Sequence, residues 1–323
     1  MIFETHAHYE DEAFEQDREA LLNSMEAHGI GHIVNACASI ESLKATEELM
    51  EKYPFVYGAF GIHPDDAEKM TEDTLNEIRR LCHLPKAVAI GEIGLDYYWH
   101  KEEREHEIQK KMFRAQMEIA REEKMPFMIH SRDAAKDTFD IMKEHRAEEI
   151  GGVIHCFSYG RDMAREFLNL GFYLGIGGVL TFGNAKKLKE VVEYAPLDRL
   201  VLETDCPYLA PVPNRGKRNS SYNLPYVADA MAEIKGLSRE EIIRGVAAYE
   251  PTGSRMHVIR MPEGRVLLDD CYNANHQSVP AALEVLGRTD RERRVAVLGE
   301  LGHLGEHTEQ DPFNAVRLGA SQG

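Results

Sequence analysis

Eight short apolar runs recur along the first 245 residues, each separated from the next by a stretch of helical period. This alternation constrains the fold more than any other feature of the chain. The runs are Met1–His8, Ile30–Ala38, Phe55–His63, Ala87–Leu95, Pro126–His130, Gly152–Phe157, Phe172–Val179 and Leu200–Asp205. Between them lie segments rich in Glu, Lys and Arg, such as Glu102–Lys124 and Ala185–Tyr194. Eight strand–helix units in about 245 residues match the size of an α/β fold of the (β/α)8 TIM-barrel type. A doubly wound open sheet is the rival. It normally uses fewer strands and often a glycine-rich phosphate loop, which this sequence lacks.

Composition narrows the class. The chain has 323 residues, 43% of them hydrophobic, enough for one large domain and a small one. No apolar run approaches the roughly 18 residues of a membrane span. The N-terminal Met1-Ile2-Phe3-Glu4-Thr5 has no basic region ahead of an apolar core, so no signal peptide is expected. Five cysteines without a C-x-x-C pair argue against a disulfide framework and a zinc ribbon. A cytoplasmic protein is the expectation. The net charge of −17 excludes a protein that coats nucleic acid through its phosphates. It leaves open the processing of a phosphodiester where bound cations and a local basic loop supply positive charge.

A break in composition falls near Gly245. Residues 1–245 hold 15 lysines and 15 arginines, whereas residues 246–323 hold 8 arginines and no lysine. The expected domains are therefore a barrel over 1–245 and a separate segment over 246–323.

Acid and imidazole groups collect at the predicted strand ends. His6 and His8 end the first strand, His63 the third, Glu92 the fourth, His130 the fifth and His155 the sixth, while Glu203 and Asp205 end the eighth. Barrel enzymes build their sites from the C-terminal ends of several strands. Residues two apart on a strand share a face, so His6 and His8 can grip one ion, although a His-x-His pair alone fits two polar strand-end histidines equally well. Six such groups at one mouth would leave unpaired buried charge unless a cation joins them. Six ligands exceed what one catalytic ion with an open position takes, and they suit two ions that share a carboxylate. Glu92 is the natural bridge. Mixed imidazole and carboxylate donors suit Zn²⁺, Mn²⁺ or Mg²⁺.

These residues stand in motifs: Thr5-His6-Ala7-His8, Gly61-Ile62-His63-Pro64, Gly91-Glu92-Ile93-Gly94-Leu95-Asp96-Tyr97, His130-Ser131-Arg132, His155-Cys156-Phe157-Ser158 and Glu203-Thr204-Asp205-Cys206-Pro207-Tyr208. In this order, over residues 1 to about 244, they resemble the TatD family of metal-dependent deoxyribonucleases. The resemblance implies that His6, His8 and Asp205 hold one ion and His130 and His155 a second, with Glu92 bridging. It further implies that Asp205 orients or deprotonates the attacking water, with Glu203 and His63 supporting it or touching substrate. The implied activity is 3′-to-5′ exonucleolytic hydrolysis of single-stranded DNA. Hydrolysis of another ester or amide, such as an acylated nucleic acid, is the nearest alternative, and a catalytically silent binding fusion is the more distant one.

Arg215, Lys217 and Arg218 lie in a Pro/Gly-broken loop after the eighth strand and are candidates for holding phosphates. Tyr97, with Tyr98 and Trp99, is a candidate for stacking on bases. His100, His106 and His145 read as solvated helix residues, and Cys156 and Cys206 as small packing residues. From Tyr249 onward, Tyr249–Met256, Asp269–Asn275 and Val295–Glu300 resemble part of the Mur ligase that adds D-alanyl-D-alanine, which would place Asn273 and Asn275 near a nucleotide. The phosphate-cradling loop and lysine of such an enzyme are absent, so ligase activity is not expected. Strands are predicted there at Met256–Met261, Arg265–Leu268 and Arg294–Leu298. The final helix of a TatD barrel is cut short at the join, which puts the stability of the eighth helix in question.

Overall fold

The structure is a computed structural model that describes residues 1–238 and 241, together with 257–260, 266–269 and 295–296. Eight parallel strands lie side by side in chain order: β1 (Ile2–Ala7), β2 (Ile30–Ala36), β3 (Val56–Ala59), β4 (Ala87–Asp96), β5 (Phe127–Arg132), β6 (Gly152–Ile154), β7 (Tyr173–Ile176) and β8 (Leu200–Leu202). A helix follows each of them: α1 (Arg18–Asn23), α2 (Ile40–Lys52), α3 (Glu72–Cys82), α4 (Glu103–Glu123), α5 (Ala135–Glu144), α6 (Arg161–Asn169), α7 (Lys186–Tyr194) and α8 (Leu224–Ile234). Parallel strands need such crossovers, and the helices cover the outer face. Helix starts follow local chemistry. Ser39 and Thr71 cap α2 and α3 by accepting from the backbone N–H three residues on. The eighth helix, questioned from the sequence, is formed and buries Leu224, Val227 and Met231.

Every strand predicted over residues 1–245 is present, but several end earlier than the apolar pattern suggests. β6 stops at Ile154, and Cys156 beyond it has a left-handed backbone (φ 44°). β8 stops at Leu202, and Asp205 is likewise left-handed (φ 56°). β4 errs the other way. It runs on to Asp96, paired with Arg132, so Glu92 lies inside the strand and does not end it.

The barrel closes where β1 meets the end of β8. Asp205 N–H donates to the His6 carbonyl (3.0 Å) and His8 N–H to the Cys206 carbonyl (2.9 Å). Glu4, fully buried, clasps this seam. Its Oε1 accepts from Thr204 N (2.8 Å) and His6 N (3.3 Å), and its Oε2 from Thr204 Oγ1 (2.7 Å) and Ser221 Oγ (2.9 Å). Burial raises its pKa from the ordinary 4.5 to about 8, against the pull of those four donors. The folded state therefore binds this proton more tightly than the unfolded chain does. The stabilisation is complete below pH 4.5 and is lost as pH rises through about 8. Every tenfold gain in proton affinity corresponds to about 1.4 kcal/mol. Relative to Glu4→Gln, the native protein is expected to lose a few kcal/mol across that window, read from urea unfolding at several pH values. Parallel pH curves for the two proteins would show that Glu4 stays ionised.

Chain contacts divide the protein into a unit over Met1–Ser238 and a second over Arg239–Gly323. In the second, β9 (His257–Arg260) and β10 (Val266–Asp269) pair antiparallel, His257 facing Asp269. These are two of the three strands expected there. Asn273 and Asn275 lie outside the described residues, as does most of the stretch that resembles the ligase. Among the described residues no helix is long and apolar enough to cross a membrane.

Candidate metal centre

Glu92 reaches the barrel mouth because of an irregularity in β4. Ile90 pairs with Phe127 but Ile93 with Ile129, so three steps on β4 match two on β5. The extra residue at Gly91-Glu92 re-aims the side chain, as bulges beside active sites do. Gly94 lets the strands recover contact. With φ at 149°, its Cα lies so close to β5 that an added Cβ would sit 1.9 Å from the His130 carbonyl oxygen.

The two carboxylate oxygens of Glu92 face different partners. Oε2 lies 3.3 Å from His6 Nε2 and 3.6 Å from His8 Nε2. Oε1 lies 2.8 Å from His130 Nδ1, 3.3 Å from His155 Nε2 and 3.8 Å from His63 Nε2. Asp205 Oδ1 completes the first group, 3.3 Å from His8 Nε2 and 3.7 Å from His6 Nε2. Groupings with ligand-compatible spacing include His6–His8–Asp205 and His63–Glu92–His130. The structure thus brings together all six residues expected as ligands. It also places His63, expected to support the attacking water or touch substrate, within reach of Glu92.

The cluster as it stands is poorly matched with itself. The Nε2 atoms of His6 and His8 point at each other across 3.0 Å, and the His6 and His155 rings stack at 3.4 Å. Among the described residues, the His155 Nδ1 and Glu203 Oε2 atoms are buried without a hydrogen-bond partner. Imidazole nitrogens that face one another in a buried site rich in carboxylates are what a cation among these donors would relieve. The donor set therefore fits divalent metal.

Electrostatics point the same way. Burial alone would raise Glu92 and Asp205, but the surrounding imidazoles hold both below the ordinary range, led by His155 in each case. Burial, with the neighbouring His155 charge, pushes His6 down. His130 goes up to about 9, its bonds to Asp96 and Glu92 outweighing burial.

Above the cluster opens a cavity of about 620 Å³, lined by His8, His63, Glu92, His130, His155 and Asp205 on its floor. Asp65, Asp96, Trp99, Arg132, Ser158 and Tyr208 are among the other lining residues. Glu203 lies below the floor, fully buried, accepting from Cys156 N–H (2.5 Å) and close to His155 Nδ1 (3.3 Å). Cys156, read as packing, lines the cavity, whereas Cys206 is buried.

The expected substrate contacts are placed differently. Tyr97 turns away from the cavity: its hydroxyl donates to Asp137 (2.8 Å) and its ring stacks on His106 (3.7 Å). Arg218 makes a two-pronged ion pair with Asp17, and Arg215 lies over the Phe182 ring (4.2 Å). Lys217 is exposed. None of the three basic residues lines the cavity. Of the three histidines expected as solvated helix residues only His106 lies within a helix, and each is partly buried with a polar partner: His100 bonds Asp65 (2.9 Å), His106 the His100 carbonyl (3.0 Å), and His145 pairs with Glu118 (3.4 Å). Asp96 and Arg132, which stand within the Gly91–Tyr97 and His130–Arg132 segments, line the cavity although neither was expected to have a role. Strand alternation could have found them, since Arg132 is two residues beyond His130 on the same strand.

Comparison with known proteins gives a consistent picture. Residues 3–248 match the family described as TatD related DNase. The uncharacterized metal-dependent hydrolase YabD of Bacillus subtilis is 46% identical over 242 residues, covering 75% of this chain and 94% of its own. The 3′-5′ ssDNA/RNA exonuclease TatD of Pantoea vagans is 34% identical over 236 residues, covering 71% and 90%. Among solved structures, YJJV, a TatD homologue from Escherichia coli K12, superposes with a TM-score of 0.70 at 29% identity, covering 76% of this chain and 95% of that one.

Proposed function

Because this chain belongs to the TatD family of metal-dependent hydrolases, we propose that it removes nucleotides from the ends of single-stranded DNA by hydrolysis of phosphodiester bonds, using two divalent ions. The observation that carries this reading is the division of Glu92, one oxygen toward His6 and His8 and the other toward His130 and His155. His6, His8 and Asp205 would hold one ion and His130 and His155 the other, with Glu92 between them and His63 beside it. Such ions, Mg²⁺, Mn²⁺ or Zn²⁺, supply Lewis-acid chemistry, activating water and offsetting charge on the phosphoryl oxygens.

The remaining roles belong to the protein. Asp205 is the more solvent-accessible of the two central carboxylates, its side chain 17% exposed against 4% for Glu92. It can therefore take the proton of the attacking water as that oxygen bonds to phosphorus and the bond to the leaving sugar oxygen breaks. The leaving sugar oxygen takes up a proton from solvent, and Asp205 gives the one it accepted back to solvent. Glu203 supports His155 from below, fixing its ring where Glu92 and Asp205 meet it. The compositional break supports a barrel over 1–245 followed by a separate segment over 246–323.

A 5′-labelled single strand incubated with the protein and Mg²⁺ or Mn²⁺ is expected to shorten stepwise from its 3′ end, and EDTA to stop the reaction. A folded, metal-loaded protein that leaves the strand intact overturns the nuclease reading.

A further inference from the structure

Among the described residues lining the cavity, Arg132 is the only arginine or lysine. Its guanidinium is held by rings, 4.0 Å from the centre of Tyr98 and 5.5 Å from that of Trp99. The two rings meet edge to face at 4.8 Å, and Trp99, though it lines the cavity, is 65% exposed. This step is anchored to the metal centre. Asp96 Oδ1 accepts from the backbone N–H of Tyr98 (2.8 Å) and Trp99 (3.0 Å), while its Oδ2 lies 3.2 Å from His130.

We propose that Arg132 and Trp99 form a clamp for one nucleotide beside the scissile bond, the guanidinium on its phosphate and the indole on its base. The proposal rests on the nuclease reading and names the contacts that reading lacks, since Tyr97 and the basic loop lie away from the cavity. Guanidinium offers a planar, two-pronged match to phosphate oxygens, and stacking over an aromatic ring keeps it pre-oriented. An exposed indole stacks on any base, so it holds a strand without reading sequence. A rim cation also offsets the repulsion between a phosphate and a cavity rich in carboxylates.

The chain has one tryptophan, so intrinsic indole fluorescence reports on Trp99 alone. With Mg²⁺ present, a short phosphorothioate oligothymidylate, which resists cleavage, is expected to quench that signal saturably. Arg132→Ala should weaken the apparent affinity about tenfold, with Arg132→Lys falling between. On cleavable strands Trp99→Ala should raise KM about tenfold, a penalty that narrows when the terminal nucleotide is abasic. Cleavage by the native protein with no quenching, and an unaltered KM in Trp99→Ala, overturns the clamp and leaves the nuclease reading standing. Quenching without cleavage of the ordinary strand removes the nuclease reading and with it a clamp beside a scissile bond, leaving nucleotide binding at Trp99 alone. Neither quenching nor cleavage by folded, metal-loaded protein removes both.

Discussion

Asp205→Ala is expected to lower kcat on single-stranded DNA by about a thousandfold or more. General-base catalysis alone is worth roughly 10²–10⁴, and the same change removes a carboxylate facing His6 and His8. Asp205→Asn separates the two contributions, since the amide keeps the shape and an oxygen donor but cannot take a proton. Metal content measured on the purified variants reads the ligand role, and kcat at saturating metal reads the proton role. A variant with full metal content and kcat within about tenfold of the native enzyme would mean that another group deprotonates the water.

Gly94→Ala carries the largest stability effect. Its backbone lies at φ 149°, a region L side chains rarely adopt, and the new methyl would overlap the His130 carbonyl oxygen at 1.9 Å. Backbone strain and overpacking each cost about 1–3 kcal/mol, so a loss of about 4 kcal/mol is expected. For a domain of this size that lowers Tm by about 10 °C. Gly183→Ala is the control, because a Cβ there meets nothing within 4 Å. If both variants melt together with the native protein, β4 and β5 can part at Gly94 without cost. Metal affinity should fall alongside stability in Gly94→Ala, since His130 sits on the strand that must move.

Most of the barrel and the imidazole–carboxylate cluster at its mouth were legible in the sequence, for a physical reason. Strands buried on both faces read as apolar runs, and the polar residues that interrupt the pattern at its ends had no core role to explain them. Strand ends were less legible, because the apolar pattern continues over His155–Phe157, beyond Ile154 as the last paired residue of β6, where Cys156 has already turned left-handed. The position of Glu92 was legible as chemistry but not as geometry. A bulge is a property of two strands in register, and β5 lies more than thirty residues downstream of it. Substrate contacts were the least legible. Charge alone singled out Arg218, but Asp17, some two hundred positions away in sequence, occupies its guanidinium. Tyr97 and Trp99 are two residues apart in one aromatic run, and only the Asp96 turn decides which of them borders the cavity.

The seam between β1 and β8 also has a consequence in time. Glu4 and Thr204, which clasp it, are 200 positions apart. A ribosome therefore exposes His6 and His8 well before it delivers the Asp205 that completes their group. Closing so long a loop is slow and comes late in folding. Until then the nascent chain holds a pair of histidines with no carboxylate from the far end to join them. The group of His6, His8 and Asp205 is therefore complete only once the end of β8 has met β1.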